Sequence, residues 1–175
     1  FHLTPLDAAR IVILGEDPYP DPAQGHGLAF STSARYRGTR PRSLGRIFGG
    51  LRSDLGIVPT QDDLTPWAER GVLLLNVALT HRSGFLAPDL STWQAFTLEV
   101  LRVLDKQPRN VAWLLWGDFA NALADLVPLG NQRHRAFRNA HPRAGHAKRP
   151  TLKKSPPFSS ASKYLGSDAQ SDWTL

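Results

Sequence analysis

The sequence contains no cysteine and no methionine among its 175 residues. The lack of cysteine excludes disulfide bonds and thiolate zinc sites. No apolar run approaches the length of a membrane span, and no signal peptide is recognised within these residues. Because an initiator methionine is absent, Phe1 is expected to begin partway into a longer protein. The chain is long enough for one domain with a full hydrophobic core.

Acidic residues are absent from two long segments, which hold most of the positive charge. Residues 22–53 contain six arginines and residues 126–167 contain nine lysines and arginines, without any Asp or Glu. Fifteen of the 21 basic residues therefore lie there, within a formal net charge of +6. Generic solubilising charge is the alternative, although it usually mixes both signs. We expect one positive face that binds a polyanion through its phosphates.

Short apolar runs alternate along the chain with segments of helical periodicity. Strands are predicted at residues 10–14, 72–76, 111–116 and, more weakly, 135–139. Helices are predicted at residues 43–55, 64–70, 90–105 and 119–127, with Ser91 as the N-cap of the third. This alternation indicates a single α/β domain, with a central four-stranded parallel sheet flanked by helices.

Polar side chains stand at the ends of three predicted strands. Residues 15–20 (Gly-Glu-Asp-Pro-Tyr-Pro) follow the first strand, Asn76 ends the second, and His141 follows the weakest. Parallel strands end at one edge of the sheet, where open α/β folds place their chemistry. The sequence therefore predicts that Asp17, Asn76 and His141 share a site. Taken singly, they also fit a polar turn, a turn-bonded asparagine and a surface histidine.

Short motifs support this site along nearly the whole chain. They are residues 15–20, 24–31 (Gln-Gly-His-Gly-Leu-Ala-Phe-Ser), 41–44 (Pro-Arg-Ser-Leu), 73–76 (Leu-Leu-Leu-Asn), 114–117 (Leu-Leu-Trp-Gly) and 140–142 (Ala-His-Pro). In this order they resemble the motifs of family 1 uracil-DNA glycosylases. These are the water-activating motif, the uracil-stacking segment, the phosphate clamp, the base-reading strand, a core strand and the start of the intercalation loop. In that family a helical portion precedes the first motif, so residues 1–175 are expected to lack the beginning of the domain.

The resemblance implies hydrolysis of the N-glycosidic bond of deoxyuridine in DNA during base excision repair, without a cofactor. Asp17 would stabilise the cationic sugar and orient a water molecule. A neutral His141 would donate a hydrogen bond to uracil O2, and the basic neighbours Arg138 and Arg143 would help to keep its ring uncharged.

The resemblance also implies how the base is selected. Asn76 would pair with uracil N3–H and O4, and cytosine would leave those polar groups unpaired. Tyr19 would fill the space of a thymine methyl group, and Phe30 would stack on the extruded base. Glu16 stands where the family usually has glutamine, and Pro20 stands where it has histidine. Glu16 places a second carboxylate beside Asp17, which is expected to cost electrostatic energy. Pro20 is expected to alter rate or geometry without abolishing the reaction.

The implied DNA-binding residues are Pro41, Ser43, Pro142, Arg143, Gly145, His146, Lys148, Arg149 and Ser162. The family's wedge leucine is replaced by Gly145, which has no side chain to insert. Our hypothesis is that Arg143 or His146 partly replaces the wedge while Lys148 and Arg149 grip the backbone. The segment 151–162 is expected to stay basic and turn-forming.

Two other functions fit parts of the sequence. A catalytically weak paralogue that binds uracil or lesions in DNA would account for Pro20 and for the missing wedge. An unrelated nucleotide-binding α/β protein would need a glycine-rich fingerprint, which is absent. No metal site is predicted, because His141 and His146 have no cysteine or carboxylate near them. We expect a monomer whose partner is single-stranded or duplex DNA, located where DNA resides (in bacteria, the cytoplasm with the nucleoid), with no membrane association and no secretion.

Overall fold

The computed structural model describes residues 1–81, 90–127, 133–144 and 149–175. Strands β1 to β4 span Ile11–Gly15, Val72–Asn76, Val111–Trp116 and His134–Asn139. Helices α1 to α6 span Arg42–Leu55, Thr65–Glu69, Leu90–Asp105, Asp118–Asp125, Pro157–Leu165 and Ala169–Trp173. Within these ranges, no helix has both the length and the apolar character needed to cross a membrane.

The four strands form one parallel sheet in the order β2-β1-β3-β4, which confirms the predicted fold class. Gly15 pairs with Asn76 at the end of β1 and β2. Trp116 pairs with Asn139 at the end of β3 and β4. The residues that follow these pairs therefore emerge at the same edge of the sheet.

Strands β1, β2 and β3 are buried on both faces, which explains why their runs are continuously apolar, whereas β4, at one edge of the sheet, is only partly buried. Ile11 and Ile13 point to the face covered by α1 and α5, whereas Val12 and Leu14 point to the face covered by α3 and α4. Successive side chains of a strand alternate between faces. Each face thus has its own buried cluster, and β1 contributes to both.

Helix α1 follows from its apolar spacing. Leu44, Ile47 and Leu51 repeat at three- and four-residue intervals and are fully buried against the sheet. The helix ends at Gly56, whose φ of 72° is left-handed and whose N–H donates to Arg52 O. It lies close to the predicted 43–55.

The carboxyl-terminal region differs from the prediction. Residues 157–165 form α5, although Pro and Ser in this stretch led us to expect turns. Pro157 stands in the first turn, where proline costs no hydrogen bond, and Phe158 is fully buried. Tertiary burial therefore decides the secondary structure of this segment.

The predicted N-cap of α3 is also wrong. Ser91 lies inside α3, which includes Leu90.

Candidate active site

A cavity of about 860 Å³ opens at the carboxyl edge of the sheet. It is bordered by the residues predicted for catalysis and uracil binding: Glu16, Asp17, Tyr19, Phe30, Asn76 and His141. They come from the ends of β1, β2 and β4 and from the segment after β1. The parallel topology thus brings together side chains that are far apart in the sequence.

The loop after β1 is tied to the loop after β2 by backbone hydrogen bonds. Val77 N–H donates to Gly15 O at 3.0 Å, and Ala78 N–H donates to Glu16 O at 2.9 Å. Proline residues at positions 18 and 20 further restrict the backbone. These constraints hold Asp17 at the cavity wall, near the end of β2, where Asn76 lies.

Asp17 is partly buried, and burial is the main reason why its pKa is raised above the usual aspartate value. His81 and the positive charge of Arg143 act in the opposite direction. Nδ1 of His81 lies 3.5 Å from Oδ2 of Asp17. The neighbouring Glu16 also has a raised pKa, because of burial first and of the Asp17 charge second. The predicted electrostatic cost of two adjacent acids is thus present.

His141 is held as a neutral imidazole of defined tautomer. The backbone N–H of Arg143 donates to its Nδ1 at 3.1 Å, so Nδ1 must carry a lone pair. In the neutral ring the proton then resides on Nε2. Burial, followed by the charge of Arg143, lowers the pKa of His141 to about 4. At neutral pH this residue therefore offers an uncharged N–H donor.

Of the two arginines predicted to keep His141 neutral, the structure supports Arg143. Arg138 instead donates to Asn121 Oδ1 at 2.9 Å and to Asp125 Oδ1 at 2.6 Å. Its charge is therefore paired on the side of the sheet covered by α4, and the prediction for Arg138 is wrong.

Phe30 and Asn76 meet over Gly15. A Cβ atom on Gly15 would lie 2.4 Å from Asn76 Oδ1 and 2.9 Å from Phe30 Cε2, so only glycine fits there. Phe30 has a left-handed φ of 65°, which is strained for an aromatic residue. Its ring centroid lies 5.3 Å from that of Trp116 and 6.0 Å from that of His141. These contacts hold the ring at the cavity.

Tyr19 is fixed by its hydroxyl group. It donates to Phe30 O at 2.5 Å and lies 3.3 Å from Ser43 Oγ. Burial raises the pKa of Tyr19 to about 12, so the phenol stays protonated. Ser43, in the first turn of α1, is buried at the cavity wall, and Pro41 precedes that helix.

Other predicted DNA-binding residues have varied surroundings. Arg143 is exposed at the cavity rim and Pro142 is buried beside it. Arg149 donates to Asp118 Oδ1. Gly145, His146 and Lys148 lie outside the described residues.

Ser162 requires a correction. It is 1% exposed, donates to Asp172 Oδ2 at 2.6 Å and accepts from Trp173 Nε1 at 3.0 Å. A hydroxyl group engaged in the core cannot reach a phosphate, so Ser162 is not a DNA-binding residue. The turn of α5 that carries it faces inward.

Two residues at the site were missed by the sequence analysis. His81 reaches Asp17 from the segment after β2. Arg46, on α1, donates from Nη1 to Pro142 O and Ala144 O, at 2.9 Å each, and so anchors the loop that follows His141. The position of His81 five residues after Asn76, near the same sheet edge, was a usable signal. No sequence signal pointed to Arg46.

In the ranges that the structure describes, no group of three or more His, Asp or Glu side chains is arranged to hold a metal ion. The cavity is lined by four imidazoles (His2, His26, His81 and His141), the amide of Asn76 and the carboxylates of Glu16 and Asp17. The cavity therefore has a carboxylate, Asp17, and a neutral N–H donor, His141, in the same wall. Such a pair can stabilise positive and negative charge as a bond separates them.

Sequence and structure comparisons agree with this arrangement. The family model described as "Uracil DNA glycosylase superfamily" matches residues 1–166. The chain therefore belongs to the uracil-DNA glycosylase superfamily. The match is to the superfamily as a whole.

Curated relatives named uracil-DNA glycosylase cover almost the entire chain. The protein of Halalkalibacterium halodurans is 41% identical over 172 residues, which are 97% of this chain and 75% of the relative. That of Clostridium beijerinckii is 38% identical over 178 residues, with 99% and 77% coverage. The crystal structure of mimivirus uracil-DNA glycosylase has a TM-score of 0.84 at 22% identity, covering 99% of this chain and 70% of the viral one. The last comparison shows a shared fold.

Proposed function

We propose that this chain is a monofunctional uracil-DNA glycosylase, a hydrolase that releases uracil from DNA and leaves an abasic site. The observation that carries the proposal is the shared cavity of Asp17, Asn76 and His141. Superfamily membership and the names of relatives at about 40% identity support the same reaction.

In the proposed reaction the N-glycosidic bond breaks with positive charge on the sugar and negative charge on the base. Asp17 stabilises the cation and orients a water molecule, whose oxygen forms the new bond to the anomeric carbon. His141 donates its Nε2–H to uracil O2 as charge accumulates there. The electron pair of the broken C1′–N1 bond leaves with uracil, water loses one proton to Asp17 as its oxygen bonds to C1′, and the uptake of one proton by the uracil anion completes the balance. By analogy with oxyanion-hole donors, the histidine contributes about 3–4 kcal/mol in the transition state.

Base selection follows from the cavity wall. The Asn76 amide accepts from uracil N3–H and donates to O4, a pattern that cytosine reverses. Phe30 stacks on the base, and the partly buried ring of Tyr19 excludes the methyl group of thymine. Glu16 borders the same cavity. A base must leave the duplex to reach these groups.

The DNA partner is recognised by the basic rim. Arg143 and Ser43 border the cavity, and Pro41, Pro142 and Arg149 are proposed to contact the DNA as well. We propose that Gly145, His146 and Lys148 extend this contact, and that the loss of the wedge leucine favours single strands and weak mispairs. The enzyme is proposed to act as a monomer in the compartment that holds DNA, with residues 1–175 belonging to its catalytic domain.

Single-turnover assays on labelled oligonucleotides test this function. Wild-type protein should convert single-stranded and duplex substrates containing uracil to alkali-labile abasic products, and should leave cytosine and thymine intact. Retention of uracil oligonucleotides without abasic product would instead favour the weak binding paralogue. An absence of both binding and product would contradict both functions.

A further inference from the structure

The segment that leaves β2 brings an imidazole to the carboxylate of Asp17. The His81 side chain is 13% exposed and its Nδ1 lies 3.5 Å from Asp17 Oδ2, at the outer limit of a hydrogen bond. This Nδ1 is buried and makes no hydrogen bond of standard geometry among the described residues. Both residues border the cavity. Asp17 is therefore the group that Nδ1 faces.

The carboxylate needs such a donor because the proposed reaction requires it to be ionised. Burial raises the pKa of Asp17, and a hydrogen bond donated to the ionised form lowers it again. Glu16 and Arg143 are the other charged groups that influence this corner of the cavity. The remaining ionisable residues at the cavity wall are His2, Tyr19, His26 and His141.

The loop that carries Asp17 offers no imidazole of its own at the position after Tyr19. Pro20 is exposed there and has neither a proton-bearing side chain nor a backbone N–H. His81 approaches Asp17 from a different strand end, and the pairing of Ala78 N–H with Glu16 O, at 2.9 Å, holds the two segments together. The geometry thus supplies an imidazole across the sheet edge.

We propose that His81 is a positioning residue for the glycosylase reaction. It donates Nδ1–H to Oδ2 of Asp17, holds the carboxylate in one orientation and favours its ionised form. The other carboxylate oxygen is then left for the attacking water. His81 acts through Asp17 and does not touch the base. The proposal rests on the proposed role of Asp17.

The test is the pH profile of single-turnover uracil release from a single-stranded oligonucleotide. His81→Leu removes the donor, so the acid limb of the profile should move to higher pH, with a rate about five- to tenfold lower at the acid end. His81→Asn places an amide N–H near the position of Nδ1 and should return the limb towards that of the wild type. His81→Gln, whose donor reaches the position of Nε2, should not.

A matched control is His134→Gln. His134 also lies near a carboxylate, with Nε2 3.9 Å from Asp105 Oδ1, but at the opposite end of the sheet, and its replacement should leave the acid limb in place. An unmoved acid limb in folded His81→Leu would overturn the proposal. If His81→Leu does not fold, the proposal would be overturned instead by His81→Asn and His81→Gln having the acid limb of the pH profile at the same pH. Loss of activity in Asp17→Asn, measured in parallel, shows separately whether the proposed reaction holds.

Discussion

Two aspartates of this protein, Asp17 and Asp172, differ in both their burial and their hydrogen-bond partners. Asp172 is 1% exposed, pairs with Arg10 through one oxygen and accepts from Ser162 and Ser167, at 2.6 Å each, through the other. Asp17 is partly exposed, with His81 at 3.5 Å from one oxygen and a pKa raised by burial. A carboxylate that the fold satisfies stabilises the fold, whereas one left incompletely satisfied is available to a ligand.

Replacing Asp17 separates function from stability most strongly. Asp17→Asn should lower single-turnover uracil release by about 10²–10³-fold, because the developing sugar cation loses its counter-charge. The melting temperature should be unchanged or slightly higher, because the substitution removes a partly desolvated charge. Single-turnover kinetics and calorimetry on the same preparation check both. A rate within threefold of the wild type would remove Asp17 from the mechanism.

Asp172→Asn should give the opposite result. It leaves Arg10 without its counter-charge and costs about 2–3 kcal/mol, less than a fully buried pair because Arg10 is 32% exposed. The melting temperature should fall by about 5–10 °C, while the folded fraction keeps its activity. Asp125→Asn, which removes an exposed partner of Arg138, is the control and should change the melting temperature little. Equal losses in both variants would contradict the structural role.

Gly15 joins the two regions, since it ends a core strand and supports the site. Gly15→Ala places a methyl group 2.4 Å from Asn76 Oδ1 and should displace the uracil-reading amide. We expect an activity loss of about 10- to 100-fold, as for small misplacements of binding groups. Gly49→Ala, where the nearest atom to a new Cβ is Lys153 Cε at 3.6 Å, should leave activity intact. A Gly15→Ala crystal structure with Asn76 unmoved would refute the steric argument.

The smallest expected effect concerns Arg143 at the rim. If this side chain partly replaces the missing wedge, Arg143→Ala should lower duplex activity by about fivefold and single-strand activity less, because only the duplex must be opened. Parallel assays on both substrates measure the ratio. Arg102→Ala makes the same charge change at an exposed position on α3. Equal, small losses on both substrates would argue against a wedge role.

The sequence analysis was most successful where apolar periodicity and strand order decide the structure. β2, β3 and α3 have the predicted bounds, and the meeting of Asp17, Asn76 and His141 follows from parallel strands alone. It failed where burial overrides local composition. The Ser- and Pro-containing stretch at 157–165 is a helix because Phe158 and Ser162 pack inward.

The electrostatics of the site were only partly accessible from the sequence. Arg143 was expected to keep His141 neutral and does so, but Arg138 was wrongly included, because nothing local shows that Asn121 and Asp125 bind it. The approach of His81 to Asp17 joins positions 64 residues apart, a separation that only the pairing of β1 with β2 closes.

The sequence by itself determined the α/β class, the carboxyl edge as the place of chemistry, and the acid, amide and imidazole that meet there. Their types and order are encoded locally, in strand-forming runs followed by polar turns. Only the tertiary structure decided the tautomer of His141, the partner of Asp17 and the inward position of Ser162. These depend on distances and burial between segments remote in the chain, which no local pattern specifies.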